Sequence, residues 1–168
     1  MGISLREMVK TLRFHGGLIH SALESIDSEC LEIIPIKNSG SFGKQFRHML
    51  DVRNSYLDAL QSGTFDFYRK DINHLLENNK QELLEELKCV MEEFSSIVLT
   101  YSSQKVSDKW IDCTPSMKYL GENFRNISPL QLTGMITEHE IFHEGELALY
   151  YRATNIKFPD NWIVWGLV

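Results

Sequence analysis

One segment near the C-terminus, Leu130–Arg152, constrains this chain more than any other. Ser128-Pro129 supplies an N-cap and a first-turn proline, and Asn155 can take the left-handed position that ends a helix. The spacing therefore predicts one long helix. At about 100° per residue, Leu132, Met135, Ile136, His139, Phe142, His143, Glu146, Leu147 and Tyr150 fall on one face. Two histidines thus sit one turn apart inside an apolar stripe, with Glu146 on the same face.

A buried histidine has two ring nitrogens to satisfy, and a buried glutamate costs more still. A divalent cation would answer all three groups at once, because histidines at i and i+4 bring two ring nitrogens to one point. The alternative is that each histidine is a core residue bonded to a carbonyl or an acid. The place of the pair on the apolar stripe favours the metal.

The rest of the chain predicts what surrounds that helix. Leu5, Val9, Leu12, Leu18, Ile19, Leu23 and Ile26 recur at helical spacing, giving a first helix over about Ser4–Ile26. Gly16-Gly17 interrupts it, as a kink or as a place where a neighbour comes close. His15 and His20 fit surface or satisfied core positions better than ligand positions. Pro35 and Asn38-Ser39-Gly40 break the chain, and the apolar residues before them predict a connection packed along the bundle.

A second helix follows over about Ser41–Gln61, with Phe42, Phe46, Met49, Val52, Tyr56 and Leu60 as its stripe. His48 and Asp51 lie on the strip beside it. His48 is either a third ligand or a surface residue paired with Asp51. Thr64–Asn78 is ambiguous: Phe65, Phe67 and Tyr68 give it apolar weight, and Ile72, Leu75 and Leu76 allow a helical turn. His74 there fits the surface.

Asn79 and Glu82 resemble a capping box at the head of a third helix that runs through Val98. Residues 100–128 form a long crossing. Tyr101–Lys105 is polar, and Lys109–Cys113 is a short extended piece that Pro115 ends. The aromatic tail, with Phe158, Trp162, Trp165 and Leu167, is expected to dock on the bundle, over one mouth of the site. Four helical patterns in 168 residues predict a single all-α domain over 1–168: a four-helix bundle with a long crossover before the last helix.

Composition removes several functions. A formal charge of −6 with no Lys/Arg cluster speaks against nucleic acid as a partner. No apolar run approaches the ~20 residues that a membrane span needs. Met1–Lys10 lacks the apolar core of a signal peptide. Cys30, Cys89 and Cys113 are odd in number and far apart, which points to reduced thiols and a cytoplasmic protein.

Three segments together carry a family resemblance. They are Ser39-Gly-Ser-Phe-Gly-Lys-Gln-Phe-Arg-His48-Met-Leu, then His139-Glu-Ile-Phe-His143-Glu-Gly-Glu146-Leu, then Tyr151-Arg152-Ala-Thr-Asn155-Ile-Lys-Phe-Pro159. Nearly the whole chain resembles the DinB-like (damage-inducible, YfiT-type) superfamily of metal-binding four-helix bundles. The resemblance implies an up-down-down-up bundle whose divalent metal, nickel or zinc, is held by His48, His139 and His143. It also implies a homodimer and a small-molecule substrate. Members include thiol-dependent transferases and isomerases that use bacillithiol, mycothiol or glutathione, and many are labelled metal-dependent hydrolases. Two positions depart from the pattern: Glu146 stands where glutamine is frequent, and Asn155 where glycine is.

Three neutral imidazoles would leave the ion at +2 with an open position, as in catalytic zinc sites. A low-molecular-weight thiol or a water could fill that position and be activated there. Glu146 or Asp51 as a fourth ligand would instead mean a structural metal or a bundle that binds without turnover. The string His139-Glu140-Ile-Phe-His143 also fits the zinc-protease pattern, with Glu140 as the base. Against this, only 25 residues follow it, no third histidine stands at the metzincin spacing, and Glu140 lies about 100° from His139, at the edge of the inward face. The expectation for the metal site is that each ligand's second ring nitrogen meets an acid or a carbonyl, with Asp51 and Glu146 nearest.

Overall fold

A computed structural model describes residues 4–67, 73–103 and 110–165. Four long helices carry it: α1 (Leu5–Ser25), α2 (Phe42–Ser62), α3 (Lys80–Ser103) and α5 (Pro129–Thr154). The one-turn α4 (Met117–Leu120) lies in the last crossing. So do β1 (Ile111–Asp112) and β2 (Asn126–Ile127), which pair antiparallel with Ile111 opposite Ile127. Tyr68, Ile72, Lys105, Lys109 and Leu167, and the side chain of Trp165, lie outside the described residues.

The helix ends follow from local chemistry. Ser4 and Ser128 each accept the amide of the third helical residue, and Glu7 and Gln131 answer back to the cap, closing two capping boxes. Ser41 accepts the Lys44 amide at 3.1 Å. Gly63 (φ 79°) and Asn155 (φ 55°) end α2 and α5 in the left-handed region.

Cross-helix bonds establish the topology. His15 meets Glu144, and Ala22 meets Tyr151, so α1 and α5 run parallel. Arg53 reaches Leu87 and Gln61 reaches Glu93, so α2 and α3 also run parallel. Arg13 bonds Glu92 while Lys80 bonds the Glu24 carbonyl, which makes α1 and α3 antiparallel. Tyr150 bonds Gly40 while Arg53 bonds Glu140, which makes α2 and α5 antiparallel. The bundle is up-down-down-up.

Two glycines allow close packing. A Cβ on Gly43 would stand 1.8 Å from the Glu77 carbonyl oxygen, so only glycine lets the 73–79 turn lie on the head of α2. A Cβ on Gly16 would meet Met91 at 2.7 Å. Gly16 thus marks a close approach of α3, a Cβ on Gly17 would meet nothing within 4 Å, and the helix runs through both without a break.

Both bundle ends are closed. At one end Phe65 donates its amide to the Asp112 carbonyl at 2.7 Å, and Ser116 ties the amide of Phe67 to the carbonyl of Phe65. At the other end Trp162 and Phe158 stack with Tyr151, and the Trp162 indole donates to the Leu18 carbonyl at 3.1 Å. The tail therefore docks on the α1 side of α5. The expected position over the site is not what is found, because the histidines face α2. In the 27–40 connection Leu31 is fully buried, whereas Ile33, Ile34 and Ile36 are exposed.

Candidate metal centre

His139 and His143 come from the middle of α5, and His48 from the second turn of α2 across the seam between them. The Nε2 atoms of His139 and His143 are 2.8 Å apart, and those of His139 and His48 are 3.4 Å apart. One ring nitrogen from each of the three lies within 4.8 Å of the others. All three sequence candidates are therefore brought together. His48 is exposed, His139 half-buried and His143 buried, so the cluster opens to solvent on the α2 side.

The donor set fits a divalent ion. Bonds of about 2.0–2.1 Å at tetrahedral angles put ligand atoms about 3.3 Å apart, and the observed separations straddle that. His48 and His139 are also disfavoured as cations, which suits ligands that must be neutral. Burial, with His143 and His48 close by, presses His139 down to about 3. Burial first and His143 second lower His48 as well.

The groups behind the rings are unequal. Glu146 Oε2 lies 2.6 Å from His143 Nδ1, on the ring edge opposite the cluster. The Gln45 side-chain nitrogen touches the same carboxylate oxygen and the same Nδ1. Asp51 is engaged by Arg47, which also donates to Glu77 at 2.7 Å. His139 Nδ1 is buried and has no hydrogen-bond partner among the described residues. The acid or carbonyl expected behind each ligand is thus met at His143 and not at His139.

Sequence reasoning placed two residues wrongly. Phe142, expected inward, is 62 % exposed and presents its ring edge-on to His143 at 5.2 Å. It shares the histidine face, but that face meets solvent at the seam. Glu140, expected at the edge of the inward face, is fully buried and forked by Arg53 through bonds of 2.9 and 2.7 Å. Both its oxygens are committed to the bundle interior, so it cannot serve as a protease base. His15 is a satisfied core residue, bonded to Glu144 at 2.8 Å. His74 is on the surface beside Glu77.

Gln45, Arg53 and Glu144 escaped sequence reasoning. Gln45 had a readable signal, lying three residues before His48 and so on the same side of α2. Arg53 stands within the apolar stripe of α2, four residues after Met49 and three before Tyr56, and a buried arginine demands an acid. Glu140 and Glu144 were the acids at the matching helical spacing.

A family model described as the DinB family matches residues 1–154. No curated protein matches the chain.

Proposed function

The chain belongs to the DinB family, and on that footing we propose that His48, His139 and His143 hold one divalent ion, nickel or zinc, at an open site that serves a thiol-dependent transferase or a hydrolase acting on a small molecule. The convergence of three ring nitrogens within 4.8 Å carries this reading. When bound, such an ion makes hydroxide or thiolate available near neutral pH. The chain's part is to keep His48 and His139 neutral by burial, to present the three imidazoles from two rigid helices, and to leave one side open beside Phe142. A closed structural site would need a fourth protein ligand. Glu146 stands behind His143, and among the described residues the ligand atoms that converge are those of the three histidines, with no acid in the group.

We extend the proposal to a homodimer in the cytosol. Ile141, Phe142 and Leu149 form an exposed apolar ridge along α5, which supports a helix-face contact between copies. Cys30, Cys89 and Cys113 are free, which suits a reducing compartment. Among the described residues, no helix is long and apolar enough to cross a membrane.

Metal analysis of the purified protein, followed by zinc and nickel titration, tests the site. The expected result is one ion per chain, lost in His143→Ala and kept in His15→Ala. Stoichiometric metal at unchanged affinity in His143→Ala would refute the assignment. A screen of the loaded protein with small thiols and electrophiles, and with ester and amide substrates, then separates enzyme from binder. Turnover in neither arm favours the bundle that binds without chemistry.

A further inference from the structure

We propose that Glu146, held by Gln45, is a positioning residue for the metal: it keeps the His143 proton on Nδ1 and aims the Nε2 lone pair into the cluster, setting affinity without touching the ion. This rests on the metal reading above.

Three atoms touch one another: Glu146 Oε2, His143 Nδ1 and the Gln45 amide nitrogen. Glu146 Oε2 is an acceptor and the Gln45 amide is a donor. If Nδ1 carried no proton, its lone pair would face a carboxylate lone pair at 2.6 Å. With Nδ1 protonated, Glu146 Oε2 accepts from both the ring and the amide, and these two bonds to a charged acceptor outweigh the donor–donor contact between Gln45 and Nδ1. The proton on Nδ1 leaves Nε2 bare, and Nε2 is the atom 2.8 Å from His139.

The clamp also spans the seam. Gln45 comes from α2, three residues before His48, and Glu146 from α5, three residues after His143. The same two helices therefore supply the ligands and the device that orients one of them. His139 has no such support among the described residues, where its Nδ1 is buried without a partner. Sensitivity to the outer groups is thus concentrated on Glu146. Partners that hold the second nitrogen of a ligating histidine typically change metal affinity 10–100-fold when removed.

The test titrates zinc alone into wild type, Glu146→Ala, Glu146→Gln and Gln45→Ala, with a thermal melt of each to check folding. Glu146 is half-buried on a helix, and alanine and glutamine both suit that backbone. Nitrogen-15 spectra of the metal-free proteins report which ring nitrogen of His143 bears the proton. The expected loss is roughly 10–100-fold in Glu146→Ala. A smaller loss is expected in Glu146→Gln, whose amide oxygen still accepts from Nδ1, and a smaller one again in Gln45→Ala. His143 should show a proton on Nδ1 in wild type and in Glu146→Gln. Wild-type zinc affinity in Glu146→Ala would overturn this proposal and leave the three-histidine site standing. So would complete loss matching His143→Ala, because Glu146 would then be a ligand itself. If wild type takes up no zinc, the metal reading fails and the positioning role with it. The ring spectra in that case still decide the tautomer.

Discussion

His139 and His143 stand four residues apart on α5, and Glu140 and Glu144 repeat the spacing one residue later. One step of about 100° separates two opposite fates. The histidines turn to the seam with α2 and converge near solvent. The glutamates turn into the bundle and are consumed there. Glu140 is forked by Arg53, which also donates to the Leu87 carbonyl at 2.7 Å and meets His20 at 2.9 Å. Glu144 meets His15 at 2.8 Å. Burial, then Glu140, pushes Glu144 up to about 8, and burial lowers His15. Near neutral pH the Glu144–His15 pair is therefore uncharged, with the carboxyl proton donated to the ring. One side of α5 spends polar groups on holding four helices together, and the other leaves them free for a ligand.

The largest effect should come from cutting the buried side. Glu140→Ala leaves the Arg53 guanidinium buried, at 1 % exposure, with no anion. Breaking a buried pair from one end costs about 3–5 kcal/mol. Denaturant unfolding should register it, and Arg53→Met added to Glu140→Ala should recover much of the loss. A cost for Glu140→Ala below about 1 kcal/mol would mean that the buried pair is not what distinguishes the two sides.

The open side should respond to metal instead. Zinc at 100-fold above its dissociation constant should stabilise wild type by about 2.7 kcal/mol. His143→Ala should lose that increment while its metal-free stability stays within about 1 kcal/mol of wild type. Melting curves with and without zinc separate these. Equal shifts in both proteins would place the metal elsewhere.

Much of this contrast was written in the residue order, and part of it was not. The helices were legible because their apolar spacing and caps are local signals, and Ser128 and Asn155 bracket α5 as their chemistry predicts. The histidine pair was legible because i and i+4 share a face whatever the fold. The role of Glu140 was not, since its partner Arg53 lies 87 residues away and only the antiparallel packing of α2 on α5 joins them. The exposure of Phe142 was hidden for a related reason. A helical wheel gives the face a residue occupies, but not where along that face the neighbouring helix stops covering it. The polar supports followed the same rule: Glu146 is local to His143, while Gln45 comes from another helix.

A pH series sharpens the comparison next. Glu144 holds its proton in the fold up to about 8, against an ordinary 4.5, so the folded state binds more protons than the unfolded chain between those values. Its contribution is complete below 4.5 and is lost as pH rises toward 8. His15 is lowered, and His20 is pressed down to about 3, from 6.5. Their contributions are present above 6.5 and are lost as pH falls below it. Between pH 6.5 and 8 the Glu144 slope dominates among the described residues, at most about 1.4 kcal/mol per pH unit. Stability measured without metal should therefore fall between pH 6.5 and 8, and Glu144→Gln should flatten that fall. A slope unchanged in Glu144→Gln would mean that the pair is charged at neutral pH.

The smallest effect is expected at Phe142, and it probes how open the histidine side is. Its ring is 62 % exposed, so truncation to alanine removes little area that folding buries, and alanine favours the helix. The change in monomer stability should lie within about 0.5 kcal/mol, as for surface positions generally. Ile141 and Leu149 share that exposed side, so a second copy seated there would cover all three. Unfolding of wild type would then depend on protein concentration, because association stabilises the folded state by mass action. Phe142→Ala would weaken that dependence while leaving the low-concentration limit unchanged. Denaturation at concentrations a hundredfold apart distinguishes the cases. A large loss in Phe142→Ala at the lowest concentration would mean that the ring is covered within one chain, and the histidine side of α5 would then be closed like the glutamate side.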